Sequence, residues 1–275
     1  MTERSILLRA KKSPLVMGVL NVTPDSFSDG GDFFLPEKAL QQGLKMVAEG
    51  AAIIDVGGES TRPNASPVSA EQELDRVLPV IEALHSESPV TISIDTSKSE
   101  VMTAAVAAGA DLINDVRALQ LPGAMQAAVQ ANVPVCLMHM QGQPETMQQQ
   151  PKYEHVVQEV KTFLLERVQQ CEEAGIKSEN IAIDPGFGFG KSLAHNLSLM
   201  KYLHEICELG FPVLVGVSRK SMIGAVLDAD TSQRFAGSLA LASIALWQGC
   251  SILRVHDVRA TADAVKMISA VMKSK

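Results

Sequence analysis

Eight short apolar runs recur along the chain, and each ends in polar or glycine residues at its C-terminal edge. The runs occupy residues 16–20, 53–56, 92–95, 112–113, 135–138, 181–183, 213–216 and 252–256. Segments with helical spacing separate them, and eight buried strands alternating with helices close most economically into a (β/α)8 TIM barrel. We therefore expect a single α/β barrel domain over residues 1–275, with its active site at the C-terminal ends of the strands. A doubly wound open sheet is the alternative.

The composition suits one barrel and argues against several partners. The 275 residues are 46% hydrophobic with 4% aromatic residues, which fits a large aliphatic core around a parallel sheet. The net charge of −7 gives no indication of nucleic-acid or membrane-surface binding. An anionic substrate would need a local cluster of cations.

The cysteines and the N-terminus indicate a cytoplasmic protein. Cys136, Cys171, Cys207 and Cys250 lie far apart and form no Cys-x-x-Cys pair, so buried free thiols are expected in preference to a disulfide or a zinc site. Charged residues soon interrupt the first apolar residues, which argues against a secretory leader. The apolar segment 235–247 is too short to span a bilayer and is expected to be a barrel helix.

Several local signals predict where helices begin and end. Ser69–Gln72 and Ser97–Glu100 each fit a capping box, and Asp257 is positioned to cap the last helix. Gly50 and Gly175 are expected to end helices. Two long segments, 22–35 and 57–68, follow strands at the catalytic rim and are expected to act as lids or substrate clamps, with passive surface loops as the alternative.

Polar residues at the strand ends give the first indication of chemistry. Residues two apart in a strand share a face, so Arg254 and His256 should form a cationic pair at the rim that attracts an anion. The alternative is an arginine paired with a structural carboxylate, with the histidine as a bystander. Acceptors and amides at other strand ends suit a heterocycle with adjacent donor and acceptor edges. The residues in question are Asn21, Asp95, Asn114 and Asp184, together with Lys220.

The glycine-rich segment 184–192 superficially resembles a phosphate-binding Walker A loop. The spacing fails, because the first glycine of that motif would fall on Pro185. A tight turn that brings the backbone and Phe189 close to a flat ligand fits better. Metalloprotease and serine-hydrolase motifs are also lacking.

Two longer motifs resemble the signatures of the dihydropteroate synthase family of folate biosynthesis. They are Asn-Val-Thr-Pro-Asp-Ser-Phe-Ser-Asp-Gly-Gly at 21–31 and Asp-Val-Gly-Gly-Glu-Ser-Thr-Arg-Pro at 55–63. Six shorter segments resemble family segments in the expected order, at 94–96, 113–115, 138–140, 184–189, 218–221 and 254–256. The resemblance runs from about Val16 to the C-terminus. One departure is Asn64, where family members frequently have glycine.

The resemblance implies a transferase that condenses (7,8-dihydropterin-6-yl)methyl diphosphate with 4-aminobenzoate, through magnesium-assisted departure of diphosphate. The pterin would be held by Asp95, Asn114, Asp184 and Lys220. Diphosphate would be bound by Asn21, Arg254 and His256, with Asn21 acting through Mg²⁺. The 4-aminobenzoate pocket would be formed by Phe27, Thr61, Arg62, Pro63, Phe189 and Ser221. The residues expected to be catalytic are Asp95, Lys220, Arg254 and His256.

The resemblance further implies a homodimer and inhibition by sulfonamides. Two other functions remain as alternatives: a pterin-dependent methyltransferase on a similar barrel, and a non-catalytic relative that binds pterin. The methyltransferase would not need the Ser-Arg-Lys-Ser and Arg-x-His anion elements. The sequence assigns no role to His139, which lies at a strand end.

Overall fold

A computed structural model describes residues 6–23, 35–60, 68–142, 147 and 151–274. Its eight parallel strands are β1 Leu15–Asn21, β2 Ile53–Gly57, β3 Thr91–Asp95, β4 Leu112–Asp115, β5 Val135–Met138, β6 Ile181–Asp184, β7 Leu214–Val215 and β8 Ile252–Val255. The sheet runs in the order β6-β5-β4-β3-β2-β1-β8-β7. A parallel bridge between Ile183 and Val213 joins its two edges. The predicted TIM barrel is confirmed.

Helices surround the sheet and alternate with the strands. They are α1 Ile6–Lys12, α2 Leu35–Ala48, α3 Ala70–Glu87, α4 Ser99–Ala107, α5 Ala124–Ala131, α6 Val156–Glu173, α7 Leu193–Lys201, α8 His204–Cys207, α9 Ser221–Leu227, α10 Phe235–Trp247 and α11 Val258–Lys273. The expected barrel helix at 235–247 is therefore present as α10. In the described part of the chain, no helix is both long enough and apolar enough to cross a membrane.

The helix-boundary predictions succeed where the capping side chain has no stronger partner. Ser69 forms the predicted capping box with Gln72. The second box is wrong, because α4 begins at Ser99 and the Ser97 hydroxyl instead donates to buried Asp115. Asp257 precedes α11 but makes no capping bond, since its carboxylate binds Arg219 through contacts of 2.7 and 3.1 Å.

The N-terminal helix α1 seals the end of the barrel opposite the predicted site, a role that the sequence did not reveal. Ile6, Leu7 and Ala10 are buried against a layer of residues inside the barrel. That layer contains Met17, Ile53, Leu112, Cys136, Ala182, Leu214 and Ile252. Complete burial of Leu7 contributes about 2 kcal/mol of hydrophobic free energy. The C-terminal mouth is therefore the open end.

The four cysteines are free, and three of them, Cys136, Cys171 and Cys250, are buried. This agrees with the expected free thiols. Burial raises the pKa of each of the four thiols, so the thiolate form is disfavoured at neutral pH.

Candidate active site

A pocket opens at the C-terminal ends of the strands and gathers six of the residues predicted from the sequence. It encloses about 350 Å³ of space, including its open mouth. The six are Asp95, Asn114, Asp184, Phe189, Lys220 and Arg254. Val116, Met138, Gly186, Phe187 and Gly216 complete the wall and were not predicted. Apolar walls with a few convergent polar groups are typical of a site for a small organic ligand.

Arg254 is held by two carboxylates, a pairing that the alternative interpretation of the sequence named. Its Nε donates to Asp55 Oδ2 at 2.6 Å, and its Nη2 donates to Asp95 Oδ2 at 2.7 Å. The strand register explains this arrangement, because β8, β1, β2 and β3 are consecutive neighbours and bring the three side chains to the same interior. Three of the five guanidinium N–H donors are not used by these two bonds.

Asp55 is a site residue that the sequence analysis missed. It lies in the middle of β2 and is completely buried. Its Oδ2 accepts from Arg254 Nε and, at 3.2 Å, from Asn114 Nδ2. Because the Asn114 amide nitrogen faces Asp55, its oxygen is left as an acceptor for a ligand. The sequence signal that could have identified Asp55 is a carboxylate inside an apolar strand. Every residue of β2 is buried, and a buried charge needs a partner.

The loop after β6 forms one wall of the pocket. Asp184 ends β6, and its Oδ1 accepts from the Gly186 amide at 2.7 Å. The Lys220 ammonium lies 4.1 Å from the centre of the Phe189 ring, a cation–π arrangement. Gly188 leaves room for this approach, since a Cβ there would lie 3.2 Å from Lys220 Cδ, a tight contact.

Burial moves the pKa values of three titratable pocket residues toward neutral pH. It raises the pKa of Asp184 to about 6 and that of Asp95 to about 7, although neighbouring cations oppose both shifts. It lowers the pKa of Lys220 to about 8, with Asp184 opposing that change. Buried titratable groups with shifted pKa values that line one pocket are typical of a functional site.

Asn21 ends β1 at the same rim and offers one amide oxygen as a possible ligand for Mg²⁺. A Cβ added to Gly57 on the next strand would lie 3.7 Å from both Asn21 Oδ1 and Asp95 Oδ2, so the glycine leaves space between them. Among the described residues, no group of three or more His, Cys, Asp or Glu could hold a metal ion. One oxygen donor fits Mg²⁺, which commonly takes its other ligands from phosphates and water.

The remaining predicted residues lie beside the pocket or outside the described part of the chain. His256 directly follows β8, and its Nδ1 lies 3.0 Å from Ser218 Oγ on the neighbouring loop. Ser221 is exposed at the first turn of α9, directly after Lys220. Phe27, Thr61, Arg62 and Pro63 fall outside the described residues, as do Asn64 and most of both long loops.

The fold and this rim define an enzyme class that the comparisons identify. A family model described as pterin binding enzyme matches residues 17–256, which is most of the chain.

Individual relatives narrow the class. A dihydropteroate synthase of Haemophilus influenzae is 58% identical over 257 residues, covering 94% of each chain. The crystal structure of Yersinia pestis dihydropteroate synthase with a sulfonamide drug complex has a TM-score of 0.92 at 50% identity, covering 96% of both chains. The Xanthomonas albilineans enzyme with 4-aminobenzoic acid has a TM-score of 0.92 at 51% identity, over 96% of this chain and 95% of that one. Its complex with 7,8-dihydropteroate gives 0.89 at 48%, over 96% of both. The chain belongs to the dihydropteroate synthase family, whose members are transferases.

Proposed function

We propose that the chain condenses (7,8-dihydropterin-6-yl)methyl diphosphate with 4-aminobenzoate, giving 7,8-dihydropteroate and diphosphate. The observation that carries the proposal is the convergence of Asp95, Asn114, Asp184, Lys220 and Arg254 on one pocket at the barrel mouth. The ligands of the Xanthomonas and Yersinia enzymes support the same substrates and sulfonamide inhibition.

The pterin is proposed to bind with its aminopyrimidine edge against Asp184 and Asn114. The Asp184 carboxylate and the Asn114 oxygen accept its N–H groups, and Lys220 donates to a ring oxygen or nitrogen. Such a site rejects analogues that lack the N–H groups, because they would leave a buried carboxylate without partners. The Phe189 ring supplies an apolar surface close to Lys220.

In the chemical step, the bond between the pterin methylene carbon and the diphosphate oxygen breaks, and its electron pair leaves with the oxygen. The amine nitrogen of 4-aminobenzoate forms the new bond to carbon and loses one proton to water. Asp95 lies on the pocket wall, where an ionised carboxylate stabilises positive charge on the pterin methylene. No strong base is required, because the neutral arylamine is already nucleophilic.

Departure of diphosphate requires positive charge where negative charge grows. Arg254 is anchored by Asp55 and Asp95, and its remaining donors are assigned to the diphosphate oxygens together with His256. Asn21 is proposed to hold Mg²⁺ through its amide oxygen. When bound, the ion would neutralise charge on the leaving group.

We further propose a cytoplasmic homodimer. Free thiols suit a reducing compartment. The helices α7, α9 and α10 contact one another and expose large apolar side chains that a second copy would cover. These are Leu193, Leu197, Val226, Leu227, Phe235, Ile244 and Trp247. A sedimentation mass of one chain at micromolar concentration would contradict the dimer.

The decisive experiment combines purified protein, Mg²⁺, the pterin diphosphate and 4-aminobenzoate, and measures diphosphate and dihydropteroate together. We expect both products in equal amounts, inhibition by a sulfonamide, and no product from the variant Asp184→Asn. Diphosphate release that does not depend on 4-aminobenzoate, or the absence of turnover, would contradict the proposal. Methyl transfer from methyltetrahydrofolate to a corrinoid would favour the methyltransferase.

A further inference from the structure

Lys191 is a buried cation that the proposed chemistry does not use. It follows the glycine-rich loop at residues 186–190, is 2% exposed, and is not part of the pocket wall. Its Nζ donates to the carbonyl oxygens of Gly186 and Phe189 at 2.9 and 3.0 Å, and lies 2.9 Å from His139 Nδ1. None of the ion pairs among the described residues includes Lys191.

The histidine beside Lys191 acts as an acceptor. An ammonium group has only donors, so the unprotonated nitrogen of His139 must face it. Burial and the charge of Lys191 lower the pKa of His139 to about 3, which keeps the ring neutral. Burial also lowers the pKa of Lys191 to about 7, against the opposing charge of Asp184. An unpaired buried ammonium is costly, and carbonyl and imidazole acceptors offset part of that cost.

The loop held by Lys191 is the wall of the proposed pterin site. Its three glycines at 186, 188 and 190 have φ values of +68, +82 and +61°, a backbone conformation that favours glycine. Three further bonds hold it: Gly186 N to Asp184 Oδ1 at 2.7 Å, Gly188 N to Asn196 Oδ1 at 2.7 Å, and Tyr153 Oη to Gly190 O at 2.8 Å. Among the described side chains that make these bonds to the loop, Asp184 alone lines the pocket.

We propose that Lys191 is a positioning residue for the pterin site, whose ammonium group fixes the loop at 186–190 and, through it, Asp184 and Phe189. It acts without touching the substrate. This inference rests on the proposed function, because the position of the loop matters to the extent that a pterin binds against it. It also gives His139 a role as one of the acceptors that hold the ammonium group in place.

The charge of Lys191 has a second effect, on the carboxylate that accepts the pterin N–H groups. The charged or titratable groups acting with Asp184 are Lys191, Lys220 beyond β7, Arg254 on β8 and the Cys136 thiol on β5. The three cations favour the ionised carboxylate. Removing one of them raises the pKa of Asp184. As the pH is lowered, pterin binding is then lost at a higher pH than in the wild type.

The test is calorimetric titration with 7,8-dihydropterin, which lacks the diphosphate, between pH 5 and pH 8. We expect Lys191→Met to weaken binding about tenfold or more at pH 6.5, where most Lys191 side chains of the wild type still carry their charge, as loss of charge-assisted hydrogen bonds does. As the pH is lowered, Lys191→Met should also lose pterin binding at a higher pH than the wild type does. Tyr153→Phe loosens the same loop without removing a charge, and should weaken binding while leaving the pH profile in place. Lys177→Met, at an exposed position before β6, is the matched control and should bind as the wild type does.

The outcomes separate the inference from the function on which it rests. No binding of the probe by the wild type would overturn the proposed function and the positioning role together. Normal wild-type binding with unchanged affinity and pH profile in Lys191→Met overturns the positioning role alone. If Lys191→Met does not fold, His139→Gln and Tyr153→Phe weaken the same loop from its other sides. Full affinity in both folded variants would then overturn the role.

Discussion

Arg254 Nε lies 2.6 Å from Asp55 Oδ2, which joins the last strand of the barrel to the second through an ion pair whose carboxylate is fully buried. The same arginine reaches Asp95 on the third strand at 2.7 Å. The Arg254 side chain is therefore fixed by two carboxylates before any substrate arrives. A preorganised cation of this kind does not need to reorient as charge develops on a leaving group.

Removing Asp55 should destabilise the protein, because Arg254 and the Asn114 amide both lose their buried partner. We expect Asp55→Ala to lower the free energy of unfolding by about 3 kcal/mol, near the lower end for a buried pair since Asp95 still contacts the arginine. Urea unfolding measures this value. Asp263→Ala breaks an exposed pair with Arg259 and should leave stability unchanged. Equal midpoints for Asp55→Ala and the wild type would show that the pair has no such role.

Replacing Arg254 by lysine tests whether its shape matters as well as its charge. A lysine keeps the positive charge, but its ammonium lacks the planar fork that spans two carboxylates and a diphosphate. We expect Arg254→Lys to lower kcat about a hundredfold, as for loss of one preorganised donor, with a smaller change in KM for the pterin diphosphate. Steady-state kinetics with Arg259→Lys as the exposed control provides the comparison. A rise in KM with unchanged kcat would instead place Arg254 in ground-state binding.

Asp184 links function to stability through its raised pKa. The value rises from 3.8 to about 6 on folding, so folding favours the protonated carboxyl. Its contribution to stability is present below pH 3.8 and is lost as the pH rises through 6. Asp184→Asn keeps a neutral acceptor for the Gly186 amide, and should be more stable than the wild type at pH 8 by up to about 3 kcal/mol.

The same variant should lose pterin binding while remaining folded. Urea unfolding between pH 4 and pH 8 and calorimetry with 7,8-dihydropterin test the two effects separately. If the stability difference between Asp184→Asn and the wild type did not change with pH, ionisation of Asp184 would not destabilise the folded protein. Tight binding by Asp184→Asn would exclude the carboxylate as the pterin acceptor.

The fold and most of the pocket wall could be predicted from the sequence because both follow from local patterns. Each strand is a short apolar run, and the barrel places all the strand ends at one rim. Residues at those ends, such as Asp95, Asn114 and Asp184, are therefore brought together by the topology alone. Lys220 and Phe189 follow in the next turns.

Other features could not be predicted because they depend on which partner a polar group finds across the barrel. Ser97 had the spacing of an N-cap, but its hydroxyl donates to the buried Asp115 carboxylate instead of accepting from a helix amide. The apolar pattern identified Asp55 only as a strand residue, because its partner Arg254 lies 199 positions away in sequence. The burial of Lys191 likewise depends on carbonyl and imidazole acceptors that folding brings together from the loop and from His139 after β5.

The close contact between Gly186 and β5 gives a prediction about the substrate-facing loop. A Cβ at Gly186 would overlap the carbonyl oxygen of His139, and φ there is +68°. Gly175 after α6 also has a positive φ, +106°, but a Cβ there meets no atom within 4 Å. Gly175→Ala should therefore cost about 1 kcal/mol from backbone strain alone.

Gly186→Ala adds displacement of the loop to the same strain, so it should cost clearly more stability than Gly175→Ala and should weaken 7,8-dihydropterin binding. Gly175→Ala should leave binding unchanged. Thermal unfolding and calorimetry on both variants separate steric displacement from strain. If the two alanine variants were equally stable and bound the pterin equally well, the loop would not need its close approach to β5 in order to shape the pocket.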